Sequence, residues 1–261
     1  MATFRFDDEA ARRLERSYMT PDIVRQREVT LGFLGLKPGE HVVDIGSGPG
    51  FLCESMADAV GPKGRVLGLD ISDDLLAAAS ARNKRRELLY AKSDAMALEA
   101  PDATFDVAVS TQVYEYVADC DRALREMYRV LKPSGRALVM ATDWDGVVWN
   151  SSNRARMRAM LTVWEKHCAE PRLPRTLALR MRKAGSNVTG IHGHSIINTR
   201  LGDDTYSQGI MEMMANFVRK HSRKTGPQAD AWLGDLRGLD RQGEYFFSST
   251  RFIVTATRLV S

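Results

Sequence analysis

The sequence predicts an α/β protein: a doubly wound, mostly parallel sheet of seven strands with a helical C-terminal cap or insertion. Three observations carry that prediction. Between His41 and Thr142, short apolar runs alternate with helical patterns, the sequence mark of parallel strands joined by crossover helices. A glycine-rich turn, Gly46-Ser47-Gly48-Pro49-Gly50, links the first apolar run to a helix, as at strand-to-helix ligand sites. After Asp143 the texture becomes mainly helical, until an alternating run closes the chain.

Residues 1–40 form an expected N-terminal helical segment, followed by a ligand-binding core over 41–143 and a helical lid or substrate region over 144–261 whose last two strands complete the sheet. HVVDI (41–45) reads as a buried strand and FLCESMADAV (51–60) as a helix stopped by GPKG (61–64). VLGLD (66–70) is the second strand. Ser72, followed by Asp73 and Asp74, supplies a capping hydroxyl and acids at the positive end of the next helix. ELLYA (87–91) and FDVAVS (105–110) give two further strands. Leu124, Met127, Tyr128 and Leu131 share one helix face, KPSG (132–135) ends that helix, and RALVMAT (136–142) is a strand. Helical patterns then fill 154–184, and VTGIHGHSII (188–197) and RFIVTATRLV (251–260) are the closing strands. Between those two lie about fifty residues, far more than a hairpin needs. They include a helix with Ile210, Met213, Met214 and Phe217 on one face, and Met211, Met213, Met214 and Phe217 suit either a satellite core, the stronger reading, or an adaptable apolar lid.

With 44% hydrophobic and 27% charged residues over 261 positions, a disordered chain and a disulfide mini-scaffold are excluded. No apolar run approaches the roughly 18 residues of a bilayer helix, and the N-terminus carries acids without an apolar stretch. A cytoplasmic location is the expectation. Cys53, Cys120 and Cys168 are widely spaced, so reduced thiols are expected rather than a disulfide framework or zinc ribbon. The net charge of +4 divides into −4 up to Asp143 and +8 beyond it. The basic residues of the second part are dispersed, which fits solvated helix faces better than a nucleic-acid surface.

The chemistry concentrates at strand ends. The glycine loop lacks both the third glycine of a dinucleotide fingerprint, where Phe51 stands, and the lysine of a triphosphate loop. Asp70, 22 residues beyond Gly48 at the end of the second strand, is placed to accept from ribose hydroxyls. Asp94, at the end of the third, is placed to accept from an exocyclic amine. Asp44, Asp70 and Asp94 around one pocket would repel phosphate and suit a cationic, phosphate-free nucleoside.

In these residues the chain resembles the class I S-adenosylmethionine-dependent methyltransferases, in particular the small-molecule branch similar to ubiquinone/menaquinone biosynthesis enzymes. VVDIGSGPG, LGLDIS, KSDAMAL, FDVAVSTQVYEYVAD and LREMYRVLKPSGRALV carry the likeness, in order. The resemblance implies a Rossmann-like sheet and S-adenosyl-L-methionine as cofactor. The loop of Gly46, Ser47, Gly48 and Gly50 would lie beside its methionine part, Asp70 on the ribose and Asp94 near the adenine, with Asp44, Ile71, Ala95 and Thr111 in the remaining cofactor set.

Transfer from a sulfonium is an in-line displacement in which positioning and water exclusion do much of the work. Tyr114, Glu115, Asp143 and His194 are the catalytic candidates, and Tyr18, Trp144, Trp149 and His192 the substrate-side candidates. His192 and His194 alternate on a strand and so are expected on one face. Asp143 and Asp145 suggest no third metal ligand, and no metal is expected. The expected acceptor is an O, N or C atom of a small, partly apolar or aromatic metabolite. RNA or protein modification through the basic C-terminal part, and a non-catalytic cofactor-binding module, are the competing readings. Homodimerisation is compatible with the sequence, and no membrane span or nucleic-acid partner is expected.

Overall fold

The computed structural model describes residues 16–259. It divides into two compact units that do not follow chain order. One comprises Arg27–Ala141, Leu173–Gly193 and the chain from Phe252; the other comprises Thr142–Arg172, His194–Arg251 and the described residues up to Gln26. The three consecutive segments expected from the sequence are thus interleaved.

The first unit is built on β1 (His41–Ile45), β2 (Arg65–Asp70), β3 (Leu88–Lys92), β4 (Phe105–Thr111) and β5 (Leu131–Thr142). The sheet order runs β3-β2-β1-β4-β5-β8, with β7 (Ser186–Asn198) pairing β8 (Phe247–Arg258). β1 lies parallel to β2 and β4, with Val42 opposite Val66 on one side and Val107 on the other. β2–β3 and β4–β5 are parallel too. Successive β1 residues serve opposite faces. Val43 and Ile45 join Ala108, Leu124, Met127 and Leu177 in one apolar cluster. Val42 joins Met56, Val107, Leu138 and Ile253 in the other. Two covered faces explain why these strands read as continuous apolar runs.

The helices start and stop where their chemistry dictates. α1 (Pro21–Leu34) precedes β1. α2 (Phe51–Val60) buries Leu52, Cys53, Met56, Ala57 and Val60 and ends at Gly61, which takes φ +65° and donates its N–H to the Ala57 carbonyl. α3 (Asp73–Arg82) is capped by Ser72, whose hydroxyl accepts from the Leu75 N–H at 3.4 Å. α4 (Cys120–Val130) is capped by Asp119, which accepts from the Arg122 N–H at 2.8 Å.

β5 begins five residues earlier than expected. Phe105 pairs with Leu131 and Val107 with Arg136, so the strand bulges out over Lys132, Pro133, Ser134 and Gly135, with Ser134 at φ +62°. Leu131 therefore belongs to the strand and not to the α4 face. The Lys132 ammonium reaches both Asp106 oxygens at 2.8 Å and holds the bulge down. The proline and glycine that read as punctuation serve the bulge instead.

The second unit contains α5 (Arg154–Trp164), α7 (Tyr206–His221), α8 (Ala229–Arg241) and the two-residue β6 (Val148–Trp149), while α6 (Pro174–Lys183) belongs to the first. β6 pairs antiparallel with Phe247 and Ser248, which adds an eighth strand and draws the start of β8 four residues ahead of expectation. The core here holds Trp144, Trp149, Trp164, Trp232, Met160, Met211 and Phe247. On α7 the buried stripe is Ile210, Met211, Met214, Ala215 and Val218. Met213, expected on that stripe, is exposed, and Phe217 is only partly buried. Met211 and Met214 fill the unit's own core, as the satellite-core reading expects and the lid reading does not. Among the described residues no helix is long and apolar enough to cross a membrane.

Candidate functional site

The site is assembled where parallel strands of the first unit end. From β1 the chain enters Gly46, whose φ of +79° is left-handed. The Gly46 and Ser47 N–H groups both donate to the Leu69 carbonyl, at 2.7 and 2.8 Å. A Cβ on Gly46 would overlap the methyls of Val113, and one on Gly50 (φ +81°) would overlap the Tyr90 phenol. Gly48 also takes positive φ. The loop thus brings backbone to a place where a side chain has neither room nor a relaxed conformation.

Asp70 closes the loop from the end of β2. Its Oδ2 accepts from the Gly48 N–H at 2.8 Å and its Oδ1 from the Ser72 N–H at 2.9 Å. Each oxygen retains a second lone pair for a ligand hydroxyl. Asp94 is half-buried and its Oδ1 accepts from the Met96 N–H at 2.8 Å, fixing the turn after β3. Ile71 is exposed, and Ala95 and Thr111 are half-buried.

The electrostatic centre is Asp44. It is 1% exposed, and its Oδ2 accepts from the Cys53 thiol at 3.2 Å. Oδ1, like the buried Ser47 hydroxyl, has no protein partner. Burial pushes the Asp44 carboxyl up to about 7, aided by the charge of Asp70 and opposed by the Cys53 hydrogen bond. Burial likewise pushes the Cys53 thiol up, with Asp44 adding to it. A buried acceptor without a partner carries an unrecovered desolvation cost. A ligand donor would relieve it, and a cationic ligand would in addition favour the charged carboxylate. These residues therefore fit a positively charged, phosphate-free nucleoside of the S-adenosylmethionine type.

At the end of β4 the structure corrects one expectation. Tyr114 is fully buried in the core, and its hydroxyl donates to the Ala123 carbonyl at 3.4 Å. It is a wall residue, with burial holding its phenol protonated. Glu115 is also fully buried and its Oε1 accepts from the Gln112 amide at 3.0 Å. Gln112 itself sits at φ +60°, with its N–H on the Met140 carbonyl at 2.8 Å. Its strained backbone was not legible in the sequence, nor was the role of Cys53, Tyr90 or Val113.

The remaining candidates divide between the units. Trp144 and Trp149, expected on the substrate side, are core residues of the second unit. Trp144 packs edge-on to Trp164 and His167, with centroids 5.6 and 4.7 Å away. Trp149 donates its indole N–H to the Tyr245 hydroxyl at 3.0 Å. Tyr18 lies partly buried against the same core, and Asp143 is half-buried. Asp145 pairs with Arg172 at 3.3 Å. Among the described residues no group of three or more His, Cys, Asp or Glu could hold a metal ion. His192 is exposed in the first unit with its ring 4.4 Å from that of Phe33. His194 is half-buried in the second, and burial first, then Arg251 and Arg25, pull it below its ordinary 6.5 against the opposing pull of Asp22. His167 stacks on Trp164 at 3.8 Å and is pulled down to about 4 by burial.

The methyltransferase-domain family matches residues 43–139, the stretch that carries the glycine loop and all three acids. A 37.1 kDa protein of unassigned role encoded in transposon TN4556 of Streptomyces fradiae is 30% identical over 242 residues, covering 91% of this chain and 68% of that protein. The ubiquinone/menaquinone biosynthesis C-methyltransferase of Vibrio vulnificus is 37% identical over 120 residues, 44% of this chain and 45% of that enzyme. The chain thus spans less than half the length of that curated relative. In fold, it is similar to phosphoethanolamine N-methyltransferase 2 of Haemonchus contortus, solved with S-adenosyl-L-methionine (TM-score 0.65, 19% identity, 98% of this chain and 58% of that one). The chain belongs to the class I S-adenosylmethionine-dependent methyltransferases, in the branch similar to the ubiquinone/menaquinone biosynthesis enzymes.

Proposed function

We propose that this enzyme methylates an O, N or C atom of a small, partly apolar or aromatic metabolite, with Asp44, Gly46, Ser47, Gly48, Gly50, Asp70, Ile71, Asp94, Ala95 and Thr111 holding the cofactor. The observation that carries this reading is the pair of buried, partnerless acceptors, Asp44 Oδ1 and Ser47 Oγ, beside a left-handed glycine loop. When bound, S-adenosylmethionine supplies a methyl group made electrophilic by its sulfonium.

The residues of the chain do the rest. Asp70, already ordered by two backbone N–H groups, offers its remaining lone pairs to ribose hydroxyls at little further entropic cost. Asp94, likewise fixed by its own turn, offers Oδ2 to the base. The buried Glu115 and the half-buried Gln112 form a hydrogen-bonded pair at the end of β4 that keeps the wall beside Thr111 in one conformation. His194, held neutral near pH 7 by burial and by two arginines, has a free lone pair with which to take a proton from the acceptor. The chain's likeness to a C-methyltransferase covers less than half of either chain, so that enzyme's choice of a carbon acceptor does not carry over.

The test is direct. Purified protein is expected to bind S-adenosylmethionine by calorimetry, and to move labelled methyl into a small-molecule fraction of a cell extract. Label arriving only in RNA or protein would overturn the small-molecule reading, and failure to bind the cofactor would overturn methyl transfer altogether.

A further inference from the structure

The most buried arginine of the described chain has no acidic partner. Arg251 is 2% exposed, on the core-facing side of β8 in register with Phe247, Ser249 and Ile253. Arg129 and Arg136, both far more exposed, pair with Glu126 and Glu40 at 2.8 and 2.9 Å. Arg251 instead donates Nε–H to the Gln26 side-chain oxygen at 3.1 Å and Nη1–H to the Thr142 hydroxyl. Its guanidinium carbon lies 4.8 Å from the Tyr206 ring centroid and 5.9 Å from that of Trp144.

All these partners are neutral, and all lie in the second unit. A guanidinium has five N–H donors and stays charged at any physiological pH. Two donors are engaged, which leaves three, including both on Nη2. No carboxylate of the described residues comes within ion-pairing distance. Asp22, the acid on the neighbouring helix, is committed elsewhere: its Oδ2 accepts from the Tyr206 N–H at 2.8 Å and the Asn198 amide at 2.9 Å. His194 and Arg25 add no negative charge. A desolvated cation with aromatic walls and neutral hydrogen-bond partners is costly to the folded protein unless something anionic completes it.

We propose that Arg251 anchors a carboxylate of the methyl acceptor, with Tyr206 flanking its apolar or aromatic body. The free Nη1 and Nη2 N–H groups suit the two oxygens of a carboxylate, which guanidinium recognises in fork fashion. Gln26 and Thr142 hold the guanidinium in one orientation, so they are positioning residues. Thr142 ends β5, the end of a parallel strand being where ligands gather in wound sheets. The assignment rests on the methyl-transfer reading for the role of the ligand, but its electrostatic content stands by itself.

Benzoate and benzamide, equal in shape and different in charge, are the probes. Their binding is followed by calorimetry and tryptophan fluorescence on wild type, Arg251→Met and Arg251→Lys. Wild type is expected to bind benzoate at least about tenfold more tightly than benzamide. Arg251→Met loses that preference, Arg251→Lys keeps part of it, and all three bind S-adenosylmethionine equally. Arg251→Met is further expected to melt no lower than wild type, because an uncompensated buried charge has been removed; a merely structural arginine would lower it.

Equal affinity for the two probes in wild type, or a benzoate preference that survives Arg251→Met, overturns the assignment. Should Arg251→Met not fold, a benzoate preference undiminished in Arg251→Lys overturns it equally. Label transfer confined to neutral metabolites and indifferent to Arg251 leaves methyl transfer standing and sinks the anchor. Benzoate captured through Arg251 with no methyl ever transferred does the reverse.

Discussion

Replacing Asp44 by Asn perturbs the glycine loop with almost no change of shape. Burial raises the Asp44 carboxyl from 3.8 to about 7. Between those values the folded, unliganded protein holds a proton that the unfolded chain has released, so unfolding becomes easier as pH rises through that window. Three pKa units at 1.36 kcal/mol each set a ceiling of about 4 kcal/mol on the loss. Asn does not titrate, and its amide oxygen still accepts from Cys53. The variant is therefore expected to match wild type near pH 4 and to exceed it at pH 8 by up to that ceiling. The cofactor reverses the ranking. A cationic ligand favours the ionised carboxylate, so wild-type affinity is expected to climb as pH rises toward 7 and then level, with up to one proton released on binding near pH 6. Asp44→Asn binds weakly and without that pH dependence. Urea titrations followed by circular dichroism at pH 5 to 8 measure the first effect. Calorimetry in buffers of different ionisation heat measures the second. An Asp44→Asn protein no more stable than wild type at pH 8, or one that keeps full cofactor affinity, would refute the reasoning.

Gly46→Ala is expected to cost about 1 to 3 kcal/mol of stability through left-handed strain and the clash with Val113, along with most cofactor binding; Val113→Ala should return part of the stability in a double-mutant cycle. Asp70→Ala is expected to weaken cofactor binding by about 1 to 3 kcal/mol by calorimetry, since it removes the acceptor for the Gly48 N–H as well as those offered to a ribose. His167, pulled from 6.5 to about 4 by burial, binds fewer protons folded than unfolded in that range, so it subtracts stability as pH falls from 6.5 to 4, by roughly 3 kcal/mol in all. His167→Phe is expected to remove that acid loss. Because Asp44 and His167 have opposite slopes in overlapping windows, each effect is read as wild type minus variant in denaturation at matched pH.

The sequence made the wound core legible because local and tertiary preferences agree there. The β1 run, the Ser72 cap and the glycine loop each demand what the fold supplies, and the three acids follow from strand ends alone. What it hid depends on partners distant in the chain. Trp144 and Trp149 read as substrate contacts because aromatic residues after β5 look alike whether they face a ligand or a core, and only the Tyr245 hydroxyl 96 positions away settles the indole of Trp149. Tyr114 was hidden for the same reason. Met213 was misassigned because the α7 stripe is set by Trp232 and its neighbours, which shift the buried face toward Met211. Arg251 is the first residue of the strand that the sequence predicts, whereas β8 begins at Phe247, and only the longer alternation shows its core-facing place.

The interleaving of the two units constrains how the protein can be dissected. The chain passes from one to the other five times, four of them within α1, β5, β7 and β8 and one between Arg172 and Leu173, just ahead of α6. A fragment ending at Asp143 keeps every recognisable cofactor motif and yet forfeits α6, most of β7 and the latter half of β8, all of them parts of the unit that carries those motifs. Recombination that swaps acceptor preference between relatives would therefore have to exchange two internal inserts together with the stretch up to Gln26, rather than graft one tail.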